Sequence, residues 1–359
     1  LNQLKKDMTL VVMSFFMASA CSQEQKLGKK PTMYQPIFEI TPEIEQHFDS
    51  PLRVKAESTV EAIALSKSIS SATAEQQVEL AKASGWGTLT DIWVKANHQG
   101  NTWQHRCHEK LSQLLTQAEI QSSKSATATA YQTSFEVIRA MWDILSDIGF
   151  TGGAIVEPAC NTLAFMGCQP ALMRERSQWV GIELDPIFAQ IARLLYPEAL
   201  IYAQGFETVS LSDNSFDLAI GNVPFGNYKL YDPRYAHLNL SIHNYFLAKC
   251  VDLVRENGLI CLITSCFTLD AANTNFRKYL ASKLELVTAI RLPVIAFKRF
   301  ANTEVVTDIL VFRKLTETEL RATNQKNYQY PDWVKTVPSG KHTVNQEPIM
   351  INQWFIEVA

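Results

Sequence analysis

Between Ala154 and Phe312 the chain repeats one pattern seven times: a short apolar run, turn punctuation and, in most cases, a helical stretch. The runs are Ala154–Val156, Trp179–Leu184, Leu200–Ala203, Phe216–Ile220, Leu259–Thr264, Leu286–Arg291 and Asp308–Phe312. Helical patterns cover Pro186–Leu195, Ser241–Glu256 and Asn273–Leu280 among them. Apolar runs this short bury as strands, and helices between strands imply parallel crossovers. The expected fold class is α/β, a doubly wound, mostly parallel, seven-stranded sheet.

Upstream, Thr73 and Gln76 have capping-box spacing for a helix that stops at Gly85-Trp86-Gly87. Helical sequence continues to a polar linker over 121–129. Thr133 and Glu136 repeat the capping-box spacing. Phe135, Ile138, Met141, Trp142, Leu145 and Ile148 then share one helix face, which Gly149 closes. The expected organisation is a leader or disordered tail over 1–50, a helical segment over 51–130, the α/β domain over 131–315, and a truncated extension over 316–359.

A formal charge of −3 cannot hold a DNA duplex by whole-chain electrostatics, so any grip on nucleic acid is local or comes from a partner. Residues 286–341 carry nine Lys and Arg against five Asp and Glu, a stripe that suits either solvent or DNA. Seven scattered cysteines without repeated spacing suit reduced thiols inside a cell. His105, Cys107 and His108 have no second ligand pair downstream, so no metal site is expected. Lys5 and Lys6, the apolar run 10–16 and Ala18-Ser19-Ala20-Cys21 imitate a lipoprotein signal. The chemistry further along needs cytoplasmic substrates, and no stretch reaches the ~20 apolar residues of a membrane span. The expectation is a cytoplasmic protein.

Ligands of open α/β sheets lie beyond the carboxyl ends of the strands. The first strand leads into Glu157-Pro158-Ala159-Cys160-Asn161-Thr162-Leu163, which lacks the glycines of a cofactor loop and reads equally as an ordinary turn. The second ends at Glu183-Leu184-Asp185-Pro186, where an acidic side chain can accept ribose hydroxyls and Asp185 can cap a helix. Gly205-Phe206 after the third offers an aromatic face for adenine or a core residue. The fourth runs into Gly221-Asn222-Val223-Pro224-Phe225. An amine conjugated to a ring is a poor nucleophile. The Asn222 amide oxygen and the Val223 carbonyl can accept its two hydrogens, Pro224 stiffens the turn, and Phe225 can stack on a base turned out of a duplex. A tight Gly-Asn-containing turn is the structural alternative. Downstream, Tyr228, Lys229, Tyr231, Arg234 and Tyr235 interleave aromatic and basic groups suited to single-strand contact.

These motifs occur in a known order. Glu157-Pro158, Gly181 to Pro186, Gln204 to Glu207 and Ile220 to Tyr228 are followed by Ile242-His243-Asn244-Tyr245-Phe246, Ile263-Thr264-Ser265 and Ile290-Arg291-Leu292-Pro293. Ala296-Phe297 and Thr303-Glu304-Val305 complete the series. Together with Tyr131-Gln132-Thr133-Ser134, they resemble the N6-adenine DNA methylase domain of the large methylase–helicase proteins of phages, plasmids and integrative elements. The resemblance covers roughly residues 55–355. It implies a Rossmann-like S-adenosylmethionine-dependent methyltransferase fold and catalytic domain, DNA as substrate, and a helicase or target-recognition module outside this chain. It places Tyr131 and Thr133 near the methionine end of S-adenosylmethionine. Glu157, Pro158, Ala159 and Asn161 then take its amino-acid part, Glu183 with Leu184 its ribose side, and Gly205 with Phe206 its adenine. Asn222, Val223, Pro224 and Phe225 hold the target base, with Asn222 also facing the cofactor. Where the family has two glycines, this chain has Asn161 and Leu163. A left-handed Leu163, or one pointing into the pocket, is expected to weaken the cofactor. Two rivals stand beside adenine methylation: another planar amine as target (cytosine N4, an RNA base, a protein glutamine), and a truncated or inactive domain that binds without catalysis.

Overall fold

The computed structural model describes residues 37–94, 102–127, 132–226, 228–293, 306–325, 327–343 and 346–357. All seven expected strands form: β1 (Ala154–Glu157), β2 (Gln178–Glu183), β3 (Leu200–Ala203), β4 (Phe216–Asn222), β5 (Val254–Ser265), β6 (Leu284–Arg291) and β7 (Thr307–Lys314). They make one sheet in the order β3-β2-β1-β4-β5-β7-β6. The β3-β2-β1-β4-β5 pairs are parallel, and β7 runs antiparallel to both β5 and β6. The sheet is therefore mixed but mostly parallel. Chain order reverses between β1 and β4, so a crevice opens at their carboxyl ends, where ligands of such sheets bind.

Period-two burial makes the sheet two-sided. Along β5, Leu259, Cys261 and Ile263 enter one apolar cluster while Ile260 and Leu262 enter the other. The first cluster receives the N-terminal helices: α1 (Pro42–His47), α2 (Leu52–Ser68), α3 (Ala74–Ala81), α4 (Thr90–Val94), α5 (Trp103–Leu114), α6 (Gln117–Ala126) and α7 (Phe135–Asp147). Two short helices, α8 (Ala164–Gly167) and α9 (Ala171–Arg174), and then α10 (Pro186–Leu195) complete that side. The helical segment does not stand apart from the sheet. Gln77 donates to the carbonyls of Leu194 and Leu195, and the Trp86 indole donates to Asp185 at 2.7 Å.

The other face carries α11 (Ile242–Leu253), α12 (Phe267–Asp270) and α13 (Asn275–Ala281). Residues 317–357 add α14 (Glu317–Thr323), a hairpin of β8 (Thr336–His342) and β9 (Pro348–Asn352), and α15 (Trp354–Glu357). This extension is pinned by polar contacts. Buried Asn352 donates to the Leu269 and Trp333 carbonyls, and the Trp354 indole donates to that of Ala289.

The structure revises several expectations. Residues 37–50, expected as tail, are folded: Ile40, Ile44 and Phe48 are buried in the first cluster, and Arg139 pairs with Glu45. An isolated Ile or Phe among polar neighbours has no period to reveal it. α11 ends at Leu253, because residues 254–256, expected as helix, begin the twelve-residue strand β5. Ser134, not Thr133, caps α7, its hydroxyl accepting from the Val137 amide. The lipoprotein-like run, Tyr131, and the motifs at 296–297 and 303–305 lie outside the described residues. Among the described residues no helix is long and apolar enough to cross a membrane, and no cluster of three His, Cys, Asp or Glu could hold a metal.

Candidate functional site

β1 ends at Glu157, whose carboxyl is buried beside the crevice. The loop after it keeps the backbone that glycines would adopt. Asn161 has φ 48° and Leu163 has φ 60°, both left-handed. Glu183 at the end of β2 holds this loop, one oxygen accepting from the Asn161 amide at 2.7 Å and the other from Asp185 at 2.8 Å. Leu163 does take the unfavourable conformation, at a cost of about 1–2 kcal/mol. Its side chain is fully buried in the first cluster, not among the groups that line the crevice. Burial outweighs strain here, since emptying a leucine site costs about 2–5 kcal/mol. Leu163→Gly is therefore expected to lower stability by roughly 1–3 kcal/mol despite relieving the backbone. Denaturant midpoints check this, and a stabilised variant would show that strain dominates.

β4 ends at Asn222 beside Glu157. Gly221 makes the approach possible: with φ 151°, a Cβ there would lie 3.2 Å from Glu157 Cγ. The Asn222 amide nitrogen donates to Thr133 Oγ1 at 3.1 Å, which leaves Oδ1 buried with no partner. Val223 is buried, and its amide donates to the Ile263 carbonyl on β5. Pro224 and Phe225 are half-buried, with Phe225 packed against both clusters.

A cleft lies between these strand ends, bordered by Thr133, Glu157, Ala159, Asn161 and Asn222. Three oxygens of its lining have no hydrogen-bond partner: Glu157 Oε2, Asn161 Oδ1 and Asn222 Oδ1. Each unsatisfied buried group costs about 1–3 kcal/mol, which a ligand with donors recovers. Burial, and next the charge of Glu183, push the Glu157 carboxyl well above the usual carboxylate range. Burial also pushes Glu183 up to about 7, despite the stabilising amide of Asp185. With Glu157 Oε2, Asn161 Oδ1 and Asn222 Oδ1 unpartnered, the cleft suits ligands that bring N–H donors, and a cation placed beside Glu157 would favour its charged form.

The other expected residues fall on both sides of this line. Pro158 is buried at the loop's start, and Leu184, 70% exposed, presents an open apolar surface next to Glu183. Phe206 does not: it is 2% exposed, packed 4.9 Å from Phe246 with the Lys249 ammonium 4.8 Å from its ring. Beside it, Gly205 has the Glu207 carboxylate folded over its Cα. The expected aromatic–basic strip is also thinner than it reads. Arg234 is paired with Asp213 and Asp252, and buried Tyr235 donates to Asp252. Tyr228 and Tyr231 remain exposed. Gln132, Cys160, Ala164 and Phe165 join the lining. The first two were legible only as neighbours of singled-out positions, and the last two carried no chemical signal.

Residues 189–294 match the profile of the Eco57I restriction-modification methylase family. Over 195 residues the chain is 29% identical to the defense against restriction protein B of Escherichia phage P1, covering 52% of this chain and 8% of that protein. Among solved structures it is similar to the type I restriction-modification methyltransferase subunit of Streptococcus thermophilus, with 14% identity and a TM-score of 0.45 over 82% of this chain and 72% of that one. The EcoKI M protein is similar at 14% identity and a TM-score of 0.41, covering 77% and 66%. The family match includes β4 and the Asn222 turn, so the central region of this chain is similar to restriction-modification methylases.

Proposed function

We propose that this chain is the catalytic region of an S-adenosylmethionine-dependent DNA methyltransferase that methylates N6 of an adenine turned out of the duplex. The observation that carries this reading is the set of three unpartnered oxygens on one cleft at the β1–β4 crevice. S-adenosylmethionine suits two of them, Glu157 Oε2 and Asn161 Oδ1, through its ammonium, and Asn222 Oδ1 is left for the target amine. Glu157 and Asn161 take the amino-acid end, with Pro158 and Ala159 shaping the loop and Thr133 on the same cleft. Glu183 spends one lone pair of one oxygen on Asn161 and one of the other on Asp185, and keeps the rest for ribose hydroxyls. Leu184 supplies the apolar contact to adenine.

When bound, the cofactor supplies an electrophilic methyl group. The chain's own work is on the target. Asn222 Oδ1 and the Val223 carbonyl accept the two hydrogens of the target amine, which localises its lone pair. Phe225 stacks on the base, and the hydrogen bond that the Val223 N–H donates to the Ile263 carbonyl holds the turn still. This chemistry uses no covalent nucleophile. Adenine is favoured over other planar amines by the family resemblance of the whole motif series. DNA as substrate makes the cytoplasm the working compartment. The local electrostatics are modest, so we assign part of the DNA grip to a helicase or target-recognition module of a larger, mobile-element-borne assembly.

Methyl transfer from labelled S-adenosylmethionine to unmethylated DNA, followed by nucleoside analysis, tests this. N6-methyladenine is expected, and Asn222→Ala should lower the rate on the order of 100-fold or more while cofactor still binds. N4-methylcytosine would move the target, and equal rates in wild type and variant would remove Asn222 from the mechanism. The inactive-domain reading rests on Asn161 and Leu163 standing where the resembled family has glycines. Calorimetry decides that one, since no heat at millimolar cofactor excludes an active enzyme.

A further inference from the structure

We propose that Thr133 is a positioning residue that sets the Asn222 amide for the target amine, a role that rests on the methyltransferase reading above. The two residues are 89 positions apart in sequence, yet Asn222 Nδ2 donates to Thr133 Oγ1 at 3.1 Å. An asparagine amide has two faces of opposite polarity. Only the orientation with Oδ1 toward the cleft can accept from an incoming amine, and the reverse would set N–H against N–H. The observed orientation is the productive one, with Oδ1 buried, free and on the cleft.

Both neighbours of Thr133 are engaged in bonds of their own. Its carbonyl accepts from the Gln132 amide, and Ser134 is committed to capping α7. Because Ser134 takes the cap, the Thr133 hydroxyl is left for Asn222. That hydroxyl is buried on the same cleft. A hydroxyl has one hydrogen. Alone it can either donate to Asn222 Oδ1 or accept from Nδ2. Once its hydrogen is engaged by an acceptor in the cleft, such as the carboxylate of the cofactor's amino-acid end, it can only accept, and the Asn222 amide is locked with Oδ1 outward. Thr133 thus links cofactor occupancy to readiness for the target base.

The test follows the Asn222 side-chain amide by NMR in asparagine-labelled protein, assigned through Asn222→Ala, with S-adenosylhomocysteine as a non-reactive probe. Wild type and Thr133→Ser should show slowed exchange of the Asn222 Nδ2 hydrogens on adding the probe. Thr133→Val, similar in shape but without an acceptor, should show none at an unchanged melting temperature. In methyl transfer, kcat should fall roughly 10-fold in Thr133→Val and recover in Thr133→Ser, with KM for the cofactor moving less. Probe binding with the same protection in Thr133→Val overturns this proposal alone. No heat on adding the probe to wild type overturns the methyltransferase reading and this proposal together.

Discussion

Glu157→Gln is expected to raise the melting temperature of the cofactor-free protein above neutral pH while lowering its affinity for S-adenosylmethionine on the order of 100-fold. Both effects come from one buried carboxyl with an unpartnered oxygen. Burial holds it well above its ordinary value of 4.5, so the folded state keeps a proton that the unfolded chain has already lost. A raised carboxyl value makes stability complete at low pH and progressively lost as pH climbs through the folded value. Glu183, raised to about 7, acts with the same sign between about 4.5 and 7. An uncharged amide in place of the Glu157 carboxyl removes that residue's contribution, so variant and wild type should melt together near pH 4 and diverge above it. On the proposed reading, the cofactor's ammonium would do for the wild type what the amide does for the variant, by neutralising the carboxylate in place. Truncating one partner of such a buried charge pair costs about 2–5 kcal/mol. Thermal melts across pH, with and without cofactor, check both halves. A variant less stable than wild type at pH 8 would mean that Glu157 is satisfied in the free protein.

Arg291→Ala is expected to cost about 3–5 kcal/mol, the largest stability loss predicted for a single side chain outside the cleft. Arg291 at the end of β6 binds Asp308 through both Nε and Nη2, at 2.9 and 3.0 Å, and reaches Asp270 at 2.9 Å. The Asp308 side chain is 0% exposed, so removing the cation strands a buried carboxylate. Asp270 also accepts from the Asn352 amide, and the Arg291 guanidinium lies 4.2 Å from the Phe355 ring. The same substitution should therefore loosen residues 331–357, seen as faster proteolysis there. Burial already raises Asp308, and Arg291 opposes that rise. Without Arg291 the carboxyl protonates more readily, so the deficit should shrink as pH falls toward 5. A deficit that is small and flat with pH would mean that the three charges are solvated.

The seven strands, the helix caps at Thr73 and Asp185, and the strand-end positions of Glu157, Glu183 and Asn222 were all legible in the chain. These are local matters: strand and helix periods, capping residues and turn chemistry act over a few residues. The departure at Leu163 was legible too, as a residue type at odds with a left-handed position. What tertiary structure decided was which strand ends meet and which side chains are already engaged. Sheet order placed β4 beside β1, bringing Asn222 and Glu157 to one cleft across 65 positions of sequence. Packing took Phe206 into the core, tied Arg234 to two aspartates, and gave Thr133 to Asn222 once Ser134 had capped α7. No local signal carries such choices, because burial and hydrogen-bond partnership depend on residues that only folding makes neighbours. The residue types at the crevice came from the chain itself; their division into satisfied groups and free acceptors came from the packing around them.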